Sequence, residues 1–504
     1  MKLSSICFNI KSTNCKSFSL VILLLLIVIN FYRSIVPQKV PSYWDAQQYT
    51  VMAYNLYKYG AFSLSKDFDI HPDLTLQREP LYPFYLACWL RLNPKVTKDT
   101  TTNASLVIDN LILYLAYSQL ILLIILSIST MYIVLLMTNN YLLGYIALGM
   151  VGFSPSLIRL SNLPHTEIMA SLLLLWISIW LYKIHKQPSL RYFIYLSITL
   201  SFLVLTRAQS MFLVIIIILF FFYLSNYRFF SDRALIRKGL ICFVAIYCLI
   251  VGTWILRNYL NFNHAIITSR AGMVLLLRSE KNMMTPKEFF ASFLYWTFNG
   301  DLFKEPEEGK SFRKGTMFNC IENTRLALLS HLRLDLEVKP GGLFERFNRT
   351  NDRSFFNAAA NLYNGVRNKY ALSRDADLLT DLECQHIAIN KIFNHPIRHF
   401  LVTLPMIWRG SFVESPYKNN SSSISQLIYI SITIVSLSYL PVLLFLSLSS
   451  LKHHSFAILS FNISAVYFLS VNSFFTHDLA RYNMPLIPIF VANFVIFCNL
   501  QRKE

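Results

Sequence analysis

Apolar stretches recur along the chain, Leu20 to Asn30, Met211 to Leu224 and Gln426 to Leu448 among them. Each, with its flanks, is long enough to fill a bilayer core of about 30 Å. The pattern predicts an all-α polytopic membrane protein with about ten transmembrane helices and two large extracytoplasmic loops. After a first helix over 20–36, the predicted spans are 111–137, 141–160, 164–182, 192–206, 209–225, 239–256, 426–449, 456–474 and 483–499. The chain divides accordingly. Residues 1–36 form a cytoplasmic N-terminus and first helix, 37–105 a first external loop, and 106–257 helices 2 to 7. Residues 258–425 form a larger external loop, and 426–504 carry the last three helices. The stretch 399–412 is apolar but short and holds Pro405 and Arg409, which predicts an interfacial or re-entrant helix.

Charge and cysteine usage narrow the class. The chain has 504 residues, and its 46 Lys and Arg against 27 Asp and Glu leave a net +19. In a soluble protein that excess points to nucleic acid, but here it follows topology. With the N-terminus inside, the connections 183–191, 227–238 and 452–454 and the tail Arg502 and Lys503 are cytoplasmic and carry almost no acids. Nucleic acid is therefore not an expected partner. Lys2, Lys11 and Lys16 precede the first apolar run, which shows no small-residue cleavage site and is expected to stay as an anchor. Eight cysteines form no CxxC or His-Cys pattern, so neither zinc nor redox chemistry is indicated. Cys320 and Cys384 share the second loop, where a disulfide and two free thiols stay equally open. His395 and His399 stand four residues apart without an acid or cysteine to complete a metal set, and packing is expected of both. No metal-ligating residue is assigned, and a divalent cation is left open as a cofactor.

Several constellations carry candidate chemistry. In Pro41 to Ser63, Tyr49, Ala53, Leu56 and Tyr57 recur at helical spacing, Gly60 is a candidate C-cap, and Asp45 stands where an N-cap would sit. Asp45 is either that cap or a general base acting on an acceptor hydroxyl or amine. Arg78-Glu79-Pro80 leads into an aromatic turn. It reads as a surface ion pair or as an arginine on an anionic head group with Glu79 orienting it or the acceptor. Arg207, Arg257 and Arg481 flank apolar runs on the predicted outer side, where snorkelling and phosphate binding compete as explanations. Positive-inside bias does not account for them. His165 and Glu167 open a helix, so Glu167 either complements its dipole or supports Asp45. Asp478 stands three residues before Arg481, at the spacing of a helical ion pair.

The order Asp45, Tyr49, Ala53, Asn55-Leu56, Gly60, Phe62-Ser63, then Arg78-x-Pro80-x-Tyr82-Pro83-x-x-Leu86-Ala87, resembles the GT-C superfamily of membrane glycosyltransferases. The likeness is nearest to the protein O-mannosyltransferase and aminoarabinose transferase group and its bacterial relatives. Ser154-Pro155 with Glu167, Leu205-Thr206-Arg207, Trp254-x-x-Arg257-Asn258 and Arg481-Tyr482-Asn483-Met484-Pro485 extend it over about 40 to 490. The resemblance implies inverting transfer of a sugar from a polyprenyl-phosphate donor to a lipid, glycan or protein acceptor. The site would face the extracytoplasmic side of a bacterial inner membrane. It implies an acid in the first external loop as catalytic base, a position Asp45 matches. The need to hold a lipid phosphate's charge independently points to Arg78, Glu79, Arg207, Arg257, Arg481 and Tyr482 around the donor, with Tyr49, Glu167, Asn258 and Asp478 supporting them. Where well-known members place a Glu beside the base, this chain has Ala46, and Arg78-Glu79-Pro80 replaces a Glu-Lys-Pro order. The rival classes are a polysaccharide or lipid-linked-sugar transporter, a non-catalytic membrane assembly factor and an O-antigen-type ligase. A transporter would place polar residues along the middle of its helices, where these spans are expected to hold little beyond Ser, Thr and Tyr.

Overall fold

The computed structural model describes residues 43–65, 72–92, 104–226, 233–284, 286–295, 355–371, 376–413, 423–452, 456–476 and 480–501. Among the described residues every regular element is helical. In chain order, α1 (Tyr43–Tyr59) and α2 (Leu81–Leu92) precede α3 (Ala104–Thr138) and α4 (Tyr141–Gly152). Next come α5 (Pro155–Leu160), α6 (Glu167–Lys186), α7 (Leu190–Thr206), α8 (Leu213–Asn226) and α9 (Arg233–Phe262). The second polar region holds α10 (Ala271–Glu280), α11 (Pro286–Tyr295), α12 (Phe355–Lys369), α13 (Ala376–Asn394) and α14 (Pro396–Ser411). The last helices are α15 (Ser423–Lys452), α16 (Phe456–Phe475) and α17 (Ile487–Gln501).

Among the described residues, six stretches are long and apolar enough to cross a membrane. They lie in α3, α6, α9, α15, α16 and the run Arg481–Gln501 that ends in α17, while α4, α7 and Ala208–Leu224 are apolar but shorter. The chain is thus a multi-pass helical membrane protein. Its predicted first helix, 20–36, lies outside the described residues.

Two expectations about the spans need correction. The predicted span 141–160 is two helices. Ser154 accepts a hydrogen bond from the Leu157 N–H at 3.3 Å and Pro155 opens α5, so the chain stops and restarts there. A Ser cap followed by Pro at the first helical position satisfies one orphan donor and removes another. The spans are also more polar than expected. Asn493 Nδ2 donates to Asn462 Oδ1 at 2.8 Å and Asn462 Nδ2 to Ser447 Oγ at 3.2 Å, tying α17, α16 and α15. All three are buried, and the bonds between them supply what lipid cannot. Because these side chains bond one another, they read as packing joints between helices.

One large apolar core runs through α3, α6, α7 and α17, with α7 packed on both α6 and α9 and α6 packed on α16. α14 is not among the six spans and lies along α16. Its His399 ring meets Phe474 edge-on at 4.5 Å and places Nδ1 3.0 Å from Asn282 Oδ1, a packing role.

The second polar region builds a small core of its own from α10, α12 and α13, including Leu276, Ala359, Cys384 and Ala388. Cys320 lies outside the described residues. Gly272 lets α10 approach α13, since a Cβ there would stand 2.0 Å from the Asp381 carbonyl oxygen. The Asp381 carboxylate accepts from the Gly272 N–H at 2.8 Å and so caps α10. The two polar regions join where the Ser269 N–H donates to the Leu76 carbonyl at 2.9 Å and Gln77 Nε2 donates to Asp377 of α13.

Candidate active site

Helix ends deliver the charged side chains to one place. α6 begins at Glu167, and α7, which packs along it after a short connection, ends at Thr206 with Arg207 as its next residue. Antiparallel neighbours put that start and that end on the same side of the bundle. Arg481 opens the last span on this side, and α1 and the segment before α2 cover it with Asp45 and Arg78.

Asp45 lies in the first turn of α1 and not at its cap, because the helix already starts at Tyr43. Its two carboxylate oxygens are divided: Oδ1 accepts from Arg78 and Oδ2 from Arg481. Arg481 also sets Nε 3.0 Å from Glu167 Oε1, and Arg207 brings a terminal nitrogen to the same oxygen at 3.0 Å. Arg207 donates further to Thr166 Oγ1 at 3.3 Å. Arg78 is 4% exposed, which removes the reading of a surface ion pair with Glu79. Its Nε donates to Gln48 Oε1 at 2.8 Å, it reaches the Tyr49 hydroxyl at 3.3 Å, and its guanidinium lies 4.7 Å from the Tyr49 ring centroid. Tyr49 is held in turn edge-on against Tyr82 at 5.1 Å. Two acids and three arginines from distant segments thus form one chain of contacts.

Electrostatics follow from that geometry. Burial pushes the Asp45 carboxyl up, but Arg78 and Arg481 outweigh it and hold the group well below the usual carboxylate range. Asp45 is ionised at any working pH. Burial pushes the Tyr49 phenol up and keeps it neutral, a donor and acceptor beside Arg78. Burial also lowers His165 despite nearby Glu167, so that imidazole is neutral. Glu167 Oε2 and Arg207 Nε are buried and have no hydrogen-bond partner among the described residues. Buried polar atoms left open at a charged site mark where a ligand group has room to bond.

The remaining candidates fall around this chain in different ways. Glu79 Oε1 accepts from the Ala208 N–H at 3.4 Å, next to Arg207. Tyr482 follows Arg481 within the same electrostatic neighbourhood, and its carbonyl accepts from Asn472 at 3.2 Å. Asp478 lies outside the described residues; the described partners of Arg481 are Asp45 and Glu167. Arg257 does not join the cluster. Its guanidinium packs over Trp254 at 4.9 Å and over Phe62 and Phe262 at 5.6 Å, and it donates to Asn258 Oδ1 at 2.9 Å and the Thr75 carbonyl at 3.5 Å. Asn258 donates to the Ile266 carbonyl at 2.7 Å and Trp254 Nε1 to the Ile267 carbonyl at 3.1 Å. The Trp254-x-x-Arg257-Asn258 pattern is therefore a staple that holds the backbone leading to Arg78 and Arg270.

Three residues were not anticipated. Gln48 and Thr166 give neutral oxygens to Arg78 and Arg207. Each directly neighbours the site in sequence yet carries no distinguishing signal. Arg270, exposed just before α10, acts electrostatically on Tyr49, Tyr482 and Asp381. Among the described residues no group of three or more His, Cys, Asp or Glu is placed to hold a metal ion.

Fold and site together define a multi-pass helical membrane protein with a charged cluster at one end of its bundle. No protein-family model matches the chain, and no curated protein sequence does. Among solved structures, the archaeal oligosaccharyltransferase AglB from Archaeoglobus fulgidus, in complex with an inhibitory peptide and a dolichol-phosphate, aligns at 13% identity with a TM-score of 0.45. The alignment covers 96% of this chain and 50% of that one, so this chain spans half the length of AglB. A likeness at this level carries no inference about activity.

Proposed function

We propose that the chain is a membrane glycosyltransferase of the GT-C type, moving a sugar from a polyprenyl-phosphate donor to an acceptor at the extracytoplasmic face of the membrane. The observation that carries this reading is the convergence of Asp45, Arg78, Glu167, Arg207 and Arg481 at helix ends. Planar guanidiniums suit a lipid phosphate, because each fork can bond two of its oxygens as charge develops on the leaving group. In the reaction the acceptor oxygen or nitrogen attacks the anomeric carbon from the face opposite the phosphate. The bond from that carbon to the phosphate oxygen breaks, the prenyl phosphate leaves with the electron pair, and the acceptor proton passes to Asp45. Glu167 holds Arg207 and Arg481 in place, and Tyr49 and Gln48 hold Arg78.

The test is transfer from a labelled polyprenyl-phosphate sugar in detergent, comparing wild type with Asp45→Asn. The amide keeps the size and one acceptor of the carboxylate but takes no proton, so transfer falls by about 100-fold or more while expression and membrane insertion persist. Near-normal transfer by this variant would refute Asp45 as the base.

A further inference from the structure

We infer that Asp45 is a stand-in for the donor phosphate: in the lipid-free protein its carboxylate occupies the anion site formed by Arg78 and Arg481, and the incoming phosphate displaces it. The inference rests on the glycosyltransferase reading above and adds an order of events to it.

Three observations support the exchange. First, both oxygens of Asp45 are engaged, one by each guanidinium, so as it stands the carboxylate is a weak proton acceptor. A base in that state needs its partners removed before it can work. Second, each arginine is anchored by something other than Asp45. Arg78 is held by Gln48, at 2.8 Å from Nε, and by the Tyr49 hydroxyl and ring; Arg481 is held by Glu167 at 3.0 Å. The guanidiniums therefore stay in position when Asp45 swings away. Third, Asp45 is the accessible acid of the cluster, its side chain 20% exposed against 2% for Glu167.

Charge favours the same exchange. Among the described residues three guanidiniums face two carboxylates, and the flanking Glu79 and Arg270 offset each other, which leaves one excess positive charge. A phosphodiester brings one negative charge and two acceptor oxygens of the geometry the arginine forks prefer. Once released, Asp45 recovers ordinary carboxylate basicity beside the donor, where the acceptor proton must go. Donor binding thus precedes activation of the base, and the acceptor is deprotonated only when a sugar is in place.

The test is binding of a short prenyl phosphodiester, farnesyl methyl phosphate, to the full chain in detergent by isothermal titration. If Asp45 competes with phosphate, Asp45→Asn and Asp45→Ser bind the diester about tenfold more tightly than wild type, within the range of a typical coupling between sites. Arg78→Gln and Arg481→Gln bind it more weakly. A second measurement uses wild type alone: carbodiimide labelling of Asp45, read by mass spectrometry, rises when the diester is added, because the carboxyl loses its arginine partners. Unchanged or weaker diester binding by the neutral Asp45 variants, or unchanged or reduced labelling of Asp45, overturns the inference and leaves the phosphate site intact. Equal diester binding by wild type and both arginine variants instead overturns the glycosyltransferase reading itself.

Discussion

Arg481 joins the two acids of the site: its Nε lies 3.0 Å from Glu167 Oε1 while a terminal nitrogen holds Asp45 Oδ2. One guanidinium at the head of the last span thereby fixes the first turn of α1 against the first turn of α6. The arrangement needs the charge on Glu167, which is 1% exposed and also holds Arg207. Removing one member of a buried ionic cluster leaves the others uncompensated, at about 3 to 5 kcal/mol. Glu167→Ala is expected to lower stability by that amount in thermal unfolding in detergent, and Glu167→Gln, which keeps an acceptor oxygen, by less. Equal losses in the two variants would show that charge alone is what Glu167 contributes, and an unchanged Glu167→Gln would show that packing, not charge, is its contribution.

Much of the site was legible in the sequence, but its pairings were not. Asp45, Arg78, Glu167, Arg207 and Arg481 each stand out as a charged residue beside an apolar run. Spacing rules, however, describe neighbours three or four residues apart, and so offered an Asp45 cap. The contact that forms between Asp45 and Arg481 spans 436 residues, and no local pattern encodes it. The described contacts of Arg257 lie away from the cluster for a related reason. Its position after an apolar run matches the other arginines, but whether such a residue faces the site or an aromatic wall depends on the helix's rotation in the bundle. The bundle itself was visible because hydropathy reports length and apolarity directly. The restart at Ser154-Pro155 was missed because apolar residues continue on both sides of it, through Val151 and Phe153 to Leu157, Ile158 and Leu160.

Arg257 makes a discriminating control. Its contacts with Thr75 and Asn258 hold backbone, and its cation–π contacts with Trp254 survive any cation of similar reach. Arg257→Lys should therefore leave the donor KM within about threefold of wild type, and Arg257→Gln should lower thermal stability and turnover together. A selective loss of donor affinity in Arg257→Lys, with stability unchanged, would return this residue to the phosphate site.

The capping carboxylate of α10 predicts a pH dependence of opposite sign to the usual acid. Burial pushes the Asp381 carboxyl up to about 6, against the backbone N–H bonds from α10 and the nearby Arg270 that pull it down. The unfolded value is about 3.9, so between the two values the folded state binds the extra proton. Its contribution to stability is complete below about pH 4 and is lost as pH rises through about 6. Hydrogen exchange of the Ala271–Glu280 amides, corrected for intrinsic rates, should show about tenfold or more weaker protection at pH 7 than at pH 4.5. Asp381→Asn should flatten the difference. Protection that rises with pH in the wild type would contradict this assignment.

The arginines of the cluster differ in how much they depend on shape. Arg481 serves two carboxylates from two directions at once, through Nε and a terminal nitrogen. A lysine ammonium is a point charge on a flexible stem and can sit at only one of those places, so Arg481→Lys keeps the charge and loses the bridge. Arg207 contacts Glu167 and Thr166 through one terminal nitrogen, and its buried Nε has no hydrogen-bond partner among the described residues. Lysine reproduces the existing contact but not the open donor. If that donor meets the phosphate as charge builds on the leaving oxygen, Arg207→Lys lowers turnover by tens-fold or more, in the range of about 2 to 4 kcal/mol for one preorganised donor. Binding of the donor falls less, because the tightening belongs to the transition state. Arg481→Lys loses turnover to at least the same degree and, unlike Arg207→Lys, also loses thermal stability. Single-turnover transfer from a labelled donor, with binding and unfolding measured separately, separates these outcomes. Wild-type turnover in Arg207→Lys would mean that its Nε meets no phosphate, and the clamp would then consist of Arg78 and Arg481 alone.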